Sequence, residues 1–238
     1  MIKVENLTKS YNERIVVRGL SFEVKKGSIL GFLGANGSGK TTTIKMMVGI
    51  TTPDSGKIFL DGKSISEWET KKILGFMPEL PSFYEYLTGR EFLDFCEDLS
   101  IGSSSHSKKN PEDIFKKIGL FEARNISIRE YSKGMRQRLA FAQAIIHDPE
   151  YIFLDEPLDG LDPLGRKVFK QFIKDLKNEG KTIFFSSHIL FDAEELCDEI
   201  AIINKGELLY KGNIPDFCKG KNLERQFVET VEAANNPG

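Results

Sequence analysis

Apolar and polar positions alternate in the first third of the chain. Leu20, Phe22 and Val24 are separated by Ser21 and Glu23, and Ile58 and Leu60 stand beside Lys57 and Asp61. A period of two predicts strands with one wet face. Ile29 to Leu33 is instead a near-continuous apolar run, the pattern of a strand buried on both faces, and Tyr151–Leu154 and Thr182–Phe185 repeat it. The first run leads into Gly34. The other two end in Asp155-Glu156 and in Ser186-Ser187-His188. Three buried strands with polar residues just past their carboxyl ends predict a parallel sheet that binds its ligand at that edge.

The middle of the chain changes period. Residues 88–148 read mostly as helix, with Phe92, Phe95, Cys96 and Leu99 on one apolar spacing and Ile114 and Ile118 on another. A polar loop, Gly102 to Pro111, interrupts them. The pattern predicts a helical insert over about 88–148 within the sheet domain. After His188 an amphipathic helix is predicted through Asp198. A hairpin follows, Glu199–Asn204 and Glu207–Tyr210 around Lys205-Gly206. The expected organisation is one domain over 1–212, then a C-terminal helix (Leu223, Phe227, Val231) and a disordered tail over 213–238.

Composition narrows the function classes. The chain has 238 residues, 40% hydrophobic and 29% charged, which suits a globular chain of one large or two small domains. Lys+Arg 33 against Asp+Glu 35 gives a net charge of -2. That excludes a generally polybasic nucleic-acid binder, so no nucleic-acid partner is expected. No apolar run approaches the roughly 18 residues of a membrane span. Met1 to Val17 mixes Lys3, Glu5, Lys9, Glu13 and Arg14 into its apolar residues and does not read as a signal peptide. Cys96, Cys197 and Cys218 lie far apart without metal spacing, which fits a reducing cytosol better than a disulfide framework.

Three motifs carry candidate chemistry. Gly34-Ala35-Asn36-Gly37-Ser38-Gly39-Lys40-Thr41 fits G-x-x-x-x-G-K-[ST], after a buried strand and before a helical pattern (Thr42 to Val48). Glycines let the backbone turn its N–H groups inward, and these donors with a helix N-terminus bind phosphate. Lys40 is placed to reach the β- and γ-phosphates and Thr41 to ligate Mg²⁺. Asp155-Glu156 closes a buried strand, where one carboxylate can serve Mg²⁺ and the next can polarise a water. The pair could equally cap the turn that begins at Pro157. Ser132-Lys133-Gly134 opens a helical pattern, Met135–Ile146, with Leu139, Ala142 and Ile146 on one face. Locally this is an N-cap, and a second helix N-terminus suited to an anion.

Taken in order, these motifs resemble those of the nucleotide-binding subunit of ATP-binding cassette (ABC) transporters, over nearly all of residues 1–212. Tyr131 to Arg138 looks like the family's signature motif, and Leu154-Asp155-Glu156-Pro157 like its second acidic motif. Gly160-Leu161-Asp162-Pro163 is similar to the D-loop, and Ser187-His188 to the switch histidine. The resemblance implies an α/β fold: a P-loop ATPase core with a mainly parallel sheet, an N-terminal antiparallel β subdomain and the helical insert. It implies ATP and Mg²⁺ as cofactors. ATP would contact Tyr11, stacked on adenine, and Gly34, Asn36, Gly37, Ser38, Gly39, Lys40, Thr41 and Thr42. Asp155 and Thr41 would hold the metal, Glu156 would act as general base, and His188 would sense the γ-phosphate. Ser132, Lys133, Gly134 and Met135 would face the ATP of a second cassette, with Asp162 at the interface.

Two departures stand out. Glu79, in Phe76-Met77-Pro78-Glu79, occupies the position the family usually gives to Gln, as a possible third metal contact or a surface charge. Tyr131, Lys133 and Met135 replace three of the five residues in the common Leu-Ser-Gly-Gly-Gln. Such variation resembles cassettes that serve separate exporter-type permeases. The implied partners are an integral membrane permease and a second cassette, as homodimer or heterodimer, on the cytoplasmic face of the membrane. The segment Glu79 to Arg90, with Phe83, Tyr84, Tyr86 and Leu87, is a candidate docking surface, although its aromatics could equally be core. A soluble ABC-type ATPase acting on ribosomes or DNA is the alternative. A P-loop kinase or GTPase would lack the signature.

Overall fold

The computed structural model describes residues 1–101 and 110–236. The chain opens with an antiparallel pair, β1 (Ile2–Tyr11) and β2 (Arg14–Val24). Strand β3 (Ile29–Leu33) runs into the glycine loop and α1 (Lys40–Met47). Strands β4 (Ser55–Leu60) and β5 (Lys63–Ser64) return to the first sheet, and α2 (Trp68–Lys72) leads to β6 (Leu74–Met77). The insert carries α3 (Gly89–Ile101), α4 (Pro111–Lys117) and α5 (Lys133–Ile145). Then come β7 (Tyr151–Leu154), α6 (Pro163–Asn178), β8 (Thr182–Ser187), α7 (Leu190–Leu196), β9 (Glu199–Asn204), β10 (Glu207–Gly212), α8 (Ile214–Cys218) and α9 (Leu223–Asn235).

Among the described residues the strands form two sheets, in the orders β2-β1-β4-β5 and β10-β9-β3-β8-β7-β6. The first is antiparallel. The second is parallel from β9 to β6, with β10 antiparallel at its edge. Strands β3 and β7 are buried along their whole length, with no charged, serine or threonine side chain, because both faces are covered. Leu30, Phe32, Tyr151, Phe153 and Phe184 point into the core shared with the antiparallel sheet and α1, where Phe32 and Phe184 lie 5.2 Å apart. Ile29, Ile152, Leu154, Ile183 and Phe185 point into the core shared with the helices. A third cluster, around Ile200, Ile202, Phe217 and Leu223, seats α8 and α9 on the β9–β10 hairpin.

The structure adjusts four expectations. Asn110 caps α4 and Pro111 is its first residue, so the polar loop stops short of both; its remainder, including His106, lies outside the described residues. Helix α9 runs to Asn235, so Ala234 and Asn235 are helical rather than part of a tail, and Pro237 and Gly238 lie outside the described residues. Between α4 and α5 the chain is turn and one short 3-10 element (Ile128–Glu130) rather than helix. Side chains supply its partners: Arg138 donates to the carbonyls of Ile118 and Gly119 at 3.2 and 3.3 Å, and the Tyr131 hydroxyl donates to that of Ala123 at 2.7 Å. Finally, α3 buries Phe92 and Leu93, while Phe95 and Leu99 are 40% and 66% exposed. Phe95 falls on the flank of the inward face and Leu99 in the last turn.

Strand β6 and helix α5 approach closely at Gly75, where an added Cβ would sit 2.0 Å from the carbonyl oxygen of Ala144. The obstacle is backbone and cannot swing aside. Gly75→Ala is therefore expected to lower stability by about 1–3 kcal/mol, as overpacking does, measured as a shift in urea midpoint.

Candidate functional site

Register brings the site together. In the parallel sheet Met77 pairs with Leu154, Leu154 with Phe185, and Leu33 with Ser187. The residues just beyond those strands therefore emerge side by side: Glu79 after β6, Asp155 and Glu156 after β7, His188 after β8 and Gly34 after β3. These are the carboxyl ends of adjacent strands, the edge at which open α/β sheets hold ligands.

The loop after β3 is shaped by its glycines. Gly39 caps α1 with φ 110°, and a Cβ there would lie 2.8 Å from the Val16 carbonyl. A Cβ on Gly34 would meet the Ile203 carbonyl at 2.4 Å. The loop borders an open pocket of about 370 Å³, lined by Asn36, Gly37, Gly39, Lys40, Thr41 and Thr42 together with Val16, Glu79 and Glu156. Lys40 is 5% exposed; its ammonium donates to the Gly34 carbonyl at 2.8 Å and lies 3.2 Å from Glu156 Oε1. The buried Ser38 hydroxyl has no partner.

Behind the pocket lies a chain of buried polar contacts. Ser186, fully buried, donates to Asp155 Oδ1 at 2.7 Å and accepts from the Glu156 N–H at 2.8 Å. Burial raises the Asp155 carboxyl above the ordinary range, and the Glu156 charge adds to this. Hydrogen bonds from Ser186 and Thr41, with the Lys40 charge, oppose it. Glu156 sits at φ 47°, left-handed for a residue with a side chain. Its Oε2 accepts from His188 Nδ1 at 2.9 Å, so that nitrogen carries the proton. Its Oε1 faces Lys40 as an ion pair but accepts no hydrogen bond.

The signature residues assemble elsewhere. Ser132 caps α5, its hydroxyl accepting from the Met135 N–H at 3.3 Å. Ser132 and Gly134 line a separate pocket of about 410 Å³ with Gly160, Leu161 and Asp162, and Lys133 packs over Gly160. Asp162 caps α6, accepting from the Gly165 N–H at 2.6 Å. The two pockets share no lining residue. Tyr11 stands outside the lining of the first; it is 47% exposed, with Lys9 Nζ 5.5 Å from its ring centroid.

Sequence reasoning left three contributors without a role. Val16 lines the pocket because β2 passes beside Gly39. Ser186 was visible as a polar residue ending a buried strand. Gln137 donates to the Pro157 carbonyl at 3.0 Å, tying α5 to the turn after Glu156, and nothing local in the sequence announces that partner.

A glycine loop at the end of a buried strand, an acidic pair two strands away along the same sheet edge and a separate pocket at Ser132 and Gly134 are the arrangement of an ATP-binding cassette. Residues 17–159 match the family model described as ABC transporter, and the chain belongs to that family. It is similar to an uncharacterized ABC transporter ATP-binding protein of Nostoc sp., 44% identical over 214 residues, 89% of this chain and 64% of that relative. It is also similar to a bacitracin transport ATP-binding protein of Enterococcus faecalis, 39% identical over 95% of this chain and 74% of the relative. Among solved structures, the ATP-binding subunit of an ABC transporter superposes with a TM-score of 0.86 at 28% identity, over 97% of this chain and 99% of that one.

Ser186→Ala strands the buried Glu156 N–H without an acceptor. The expected loss is about 1–3 kcal/mol, the usual penalty for an unsatisfied buried donor, read from chemical denaturation of the nucleotide-free protein.

Proposed function

We propose that this chain binds and hydrolyses ATP to drive a separate membrane permease. The observation that carries the reading is the convergence of the P-loop, Asp155, Glu156 and His188 at adjacent strand ends. The unpartnered Ser38 hydroxyl and the α1 N-terminus suit a triphosphate, and Lys40 would leave the Gly34 carbonyl for its β- and γ-oxygens. Thr41 and Asp155, already in contact, would hold Mg²⁺ with phosphate oxygens, and Glu79 lies in the same pocket as a third donor. Among the described residues no three of His, Cys, Asp and Glu gather into a metal cluster. That suits an ion held largely by substrate and water. When bound, the metal neutralises charge on the phosphates.

This chain's own residues do the rest. Glu156 Oε1 accepts no hydrogen bond and faces only the Lys40 ammonium; with Lys40 turned to the phosphates it would accept the proton of an attacking water. His188 bonds Oε2 and so steadies the carboxylate; its ring lines a separate pocket with Ile189, Phe191 and Glu194, and it would meet a γ-phosphate from beside Glu156. Tyr11 supplies an exposed ring for adenine.

The signature pocket stands apart, so a bound nucleotide would be completed by Ser132, Lys133, Gly134 and Met135 of a second cassette, with Asp162 at the junction. An anion between two helix N-termini from different subunits would hold the pair together until hydrolysis. Among the described residues no helix is long and apolar enough to cross a membrane; the cassette would work from the cytoplasmic face for membrane-embedded partners. The relative named for bacitracin transport supports cargo movement, and the altered signature supports export.

The docking segment divides in two. Phe83 packs edge-on against Phe92 at 5.1 Å and belongs to the core. Tyr84 and Tyr86 are 51% and 77% exposed, and Tyr84 meets Phe95 edge-on at 5.8 Å. These three rings are the proposed permease contact.

Glu156→Gln is expected to keep ATP affinity, lower turnover by about 10²–10⁴-fold as loss of a general base does, and accumulate as an ATP-bound dimer on size-exclusion chromatography. Turnover at the normal rate would remove Glu156 from the mechanism. Tyr84→Ser with Tyr86→Ser should leave soluble ATP binding intact and abolish co-sedimentation with membranes; unchanged co-sedimentation places docking elsewhere.

A further inference from the structure

Helix α7 follows His188 by one residue, and within it Ala193 and Leu196 are the buried apolar anchors. It has only seven residues (Leu190–Leu196), and no side chain caps its N-terminus at Ile189. Isolated helices of that length are not stable in water. A neighbouring helix supplies a second, polar anchor near its N-terminus. Arg166, Lys170, Lys174 and Lys177 recur along one stripe of α6 and face Asp192, Glu195 and Asp198 on and just after α7. Arg166 Nη2 lies 2.5 Å from Asp192 Oδ2 and Lys170 Nζ 2.9 Å from Asp192 Oδ1. Lys170 and Lys174 share Glu195 at 2.7 and 3.0 Å, and Lys177 reaches Asp198 at 2.5 Å. Asp198 in turn accepts from the Ile29 N–H at 2.8 Å, which joins the series to the start of the P-loop strand.

The rungs are unequal. Those of Lys174 and Lys177 join half-exposed groups, and such pairs contribute little. Asp192 is 1% exposed and Lys170 7%. A buried carboxylate between two cations tolerates neither loss of a partner nor displacement, because either leaves an uncompensated charge. The rung at Asp192 therefore fixes where the first turn of α7 lies, and with it the His188–Ile189 lead-in. The same cations stand on the first turns of α6, whose cap is Asp162.

We infer that Asp192 is a positioning residue for hydrolysis: clamped by Arg166 and Lys170, it holds His188 against Glu156 and makes the placement of that histidine follow α6. The inference rests on the reading of the chain as an ATPase.

The test is a kinetic cycle on the purified chain with ATP and Mg²⁺. Asp192→Asn should lower kcat by about tenfold, the scale of a small displacement in a catalytic group, with the dissociation constant for ATP unchanged. In a His188→Ala background the same substitution should change kcat less than about twofold, because the two residues act as one unit. Lys174→Ala, which breaks an exposed rung, should leave kcat as it is. Arg166→Met removes one of the two cations and keeps the other; it carries the same cycle should Asp192→Asn fail to fold. Equal losses in the presence and absence of His188, or an unchanged kcat, overturn the inference. The His188 imidazole resonance, read by NMR, should move in Asp192→Asn and Arg166→Met and stay put in Lys174→Ala. A chain that hydrolyses no ATP overturns the functional reading, and the imidazole signal still decides the positioning role: an unmoved resonance overturns it.

Discussion

Asp155 lies at the end of a strand covered on both faces, with 1% of its surface exposed, beside a second carboxylate and an ammonium that are almost as dry. Charges held this way are partly unsolvated and partly unpaired, and the protein has to hold them by other means. Parallel register does most of that by delivering the strand ends to one place. Ser186 does the rest, bonding one carboxylate and the backbone of the other. Positive charge is what offsets the cost of keeping Asp155 ionised beside Glu156: Lys40 supplies part of it, and a divalent cation would supply more.

Much of this was legible in the sequence because it is local. The glycine loop, the apolar run before it and the acidic pair after Leu154 each lie within one short stretch, and the buried strands announced themselves by lacking alternation. The adjacency of β3, β8 and β7 was not written in any one stretch, though polar residues at all three ends hinted at it. What was hidden depends on partners distant in the chain. Gln137 meets Pro157, Arg138 ends α4, and the cations of α6 meet the acids of α7 across 20 residues or more. Their spacing reads simply as a solvated face. Phe95 and Leu99 misled for the opposite reason: apolar spacing on α3 is wider than the core it serves.

The insert joins the exposed tyrosines to the pocket at Ser132 and Gly134. Arg136, in the first turn of α5, pairs with Glu85 at 2.5 Å and also donates to the carbonyls of Tyr131 and Arg129. The Arg129 N–H and the Ser127 hydroxyl return to the Glu85 carbonyl. The segment bearing Tyr84 and Tyr86 is thus bonded at both side chain and backbone to the lead-in of Ser132. Force applied at those rings has a short polar path to the signature residues.

Glu156 keeps its left-handed backbone although no glycine or asparagine stands there to make it comfortable. Exchanging it for a residue at ease in that conformation would relax the backbone and remove the like-charge neighbour of Asp155, but would leave the buried Lys40 ammonium without its carboxylate. Backbone comfort and the buried ion pair thus pull in opposite directions at this one position, and the charge holds the residue where its conformation alone would not.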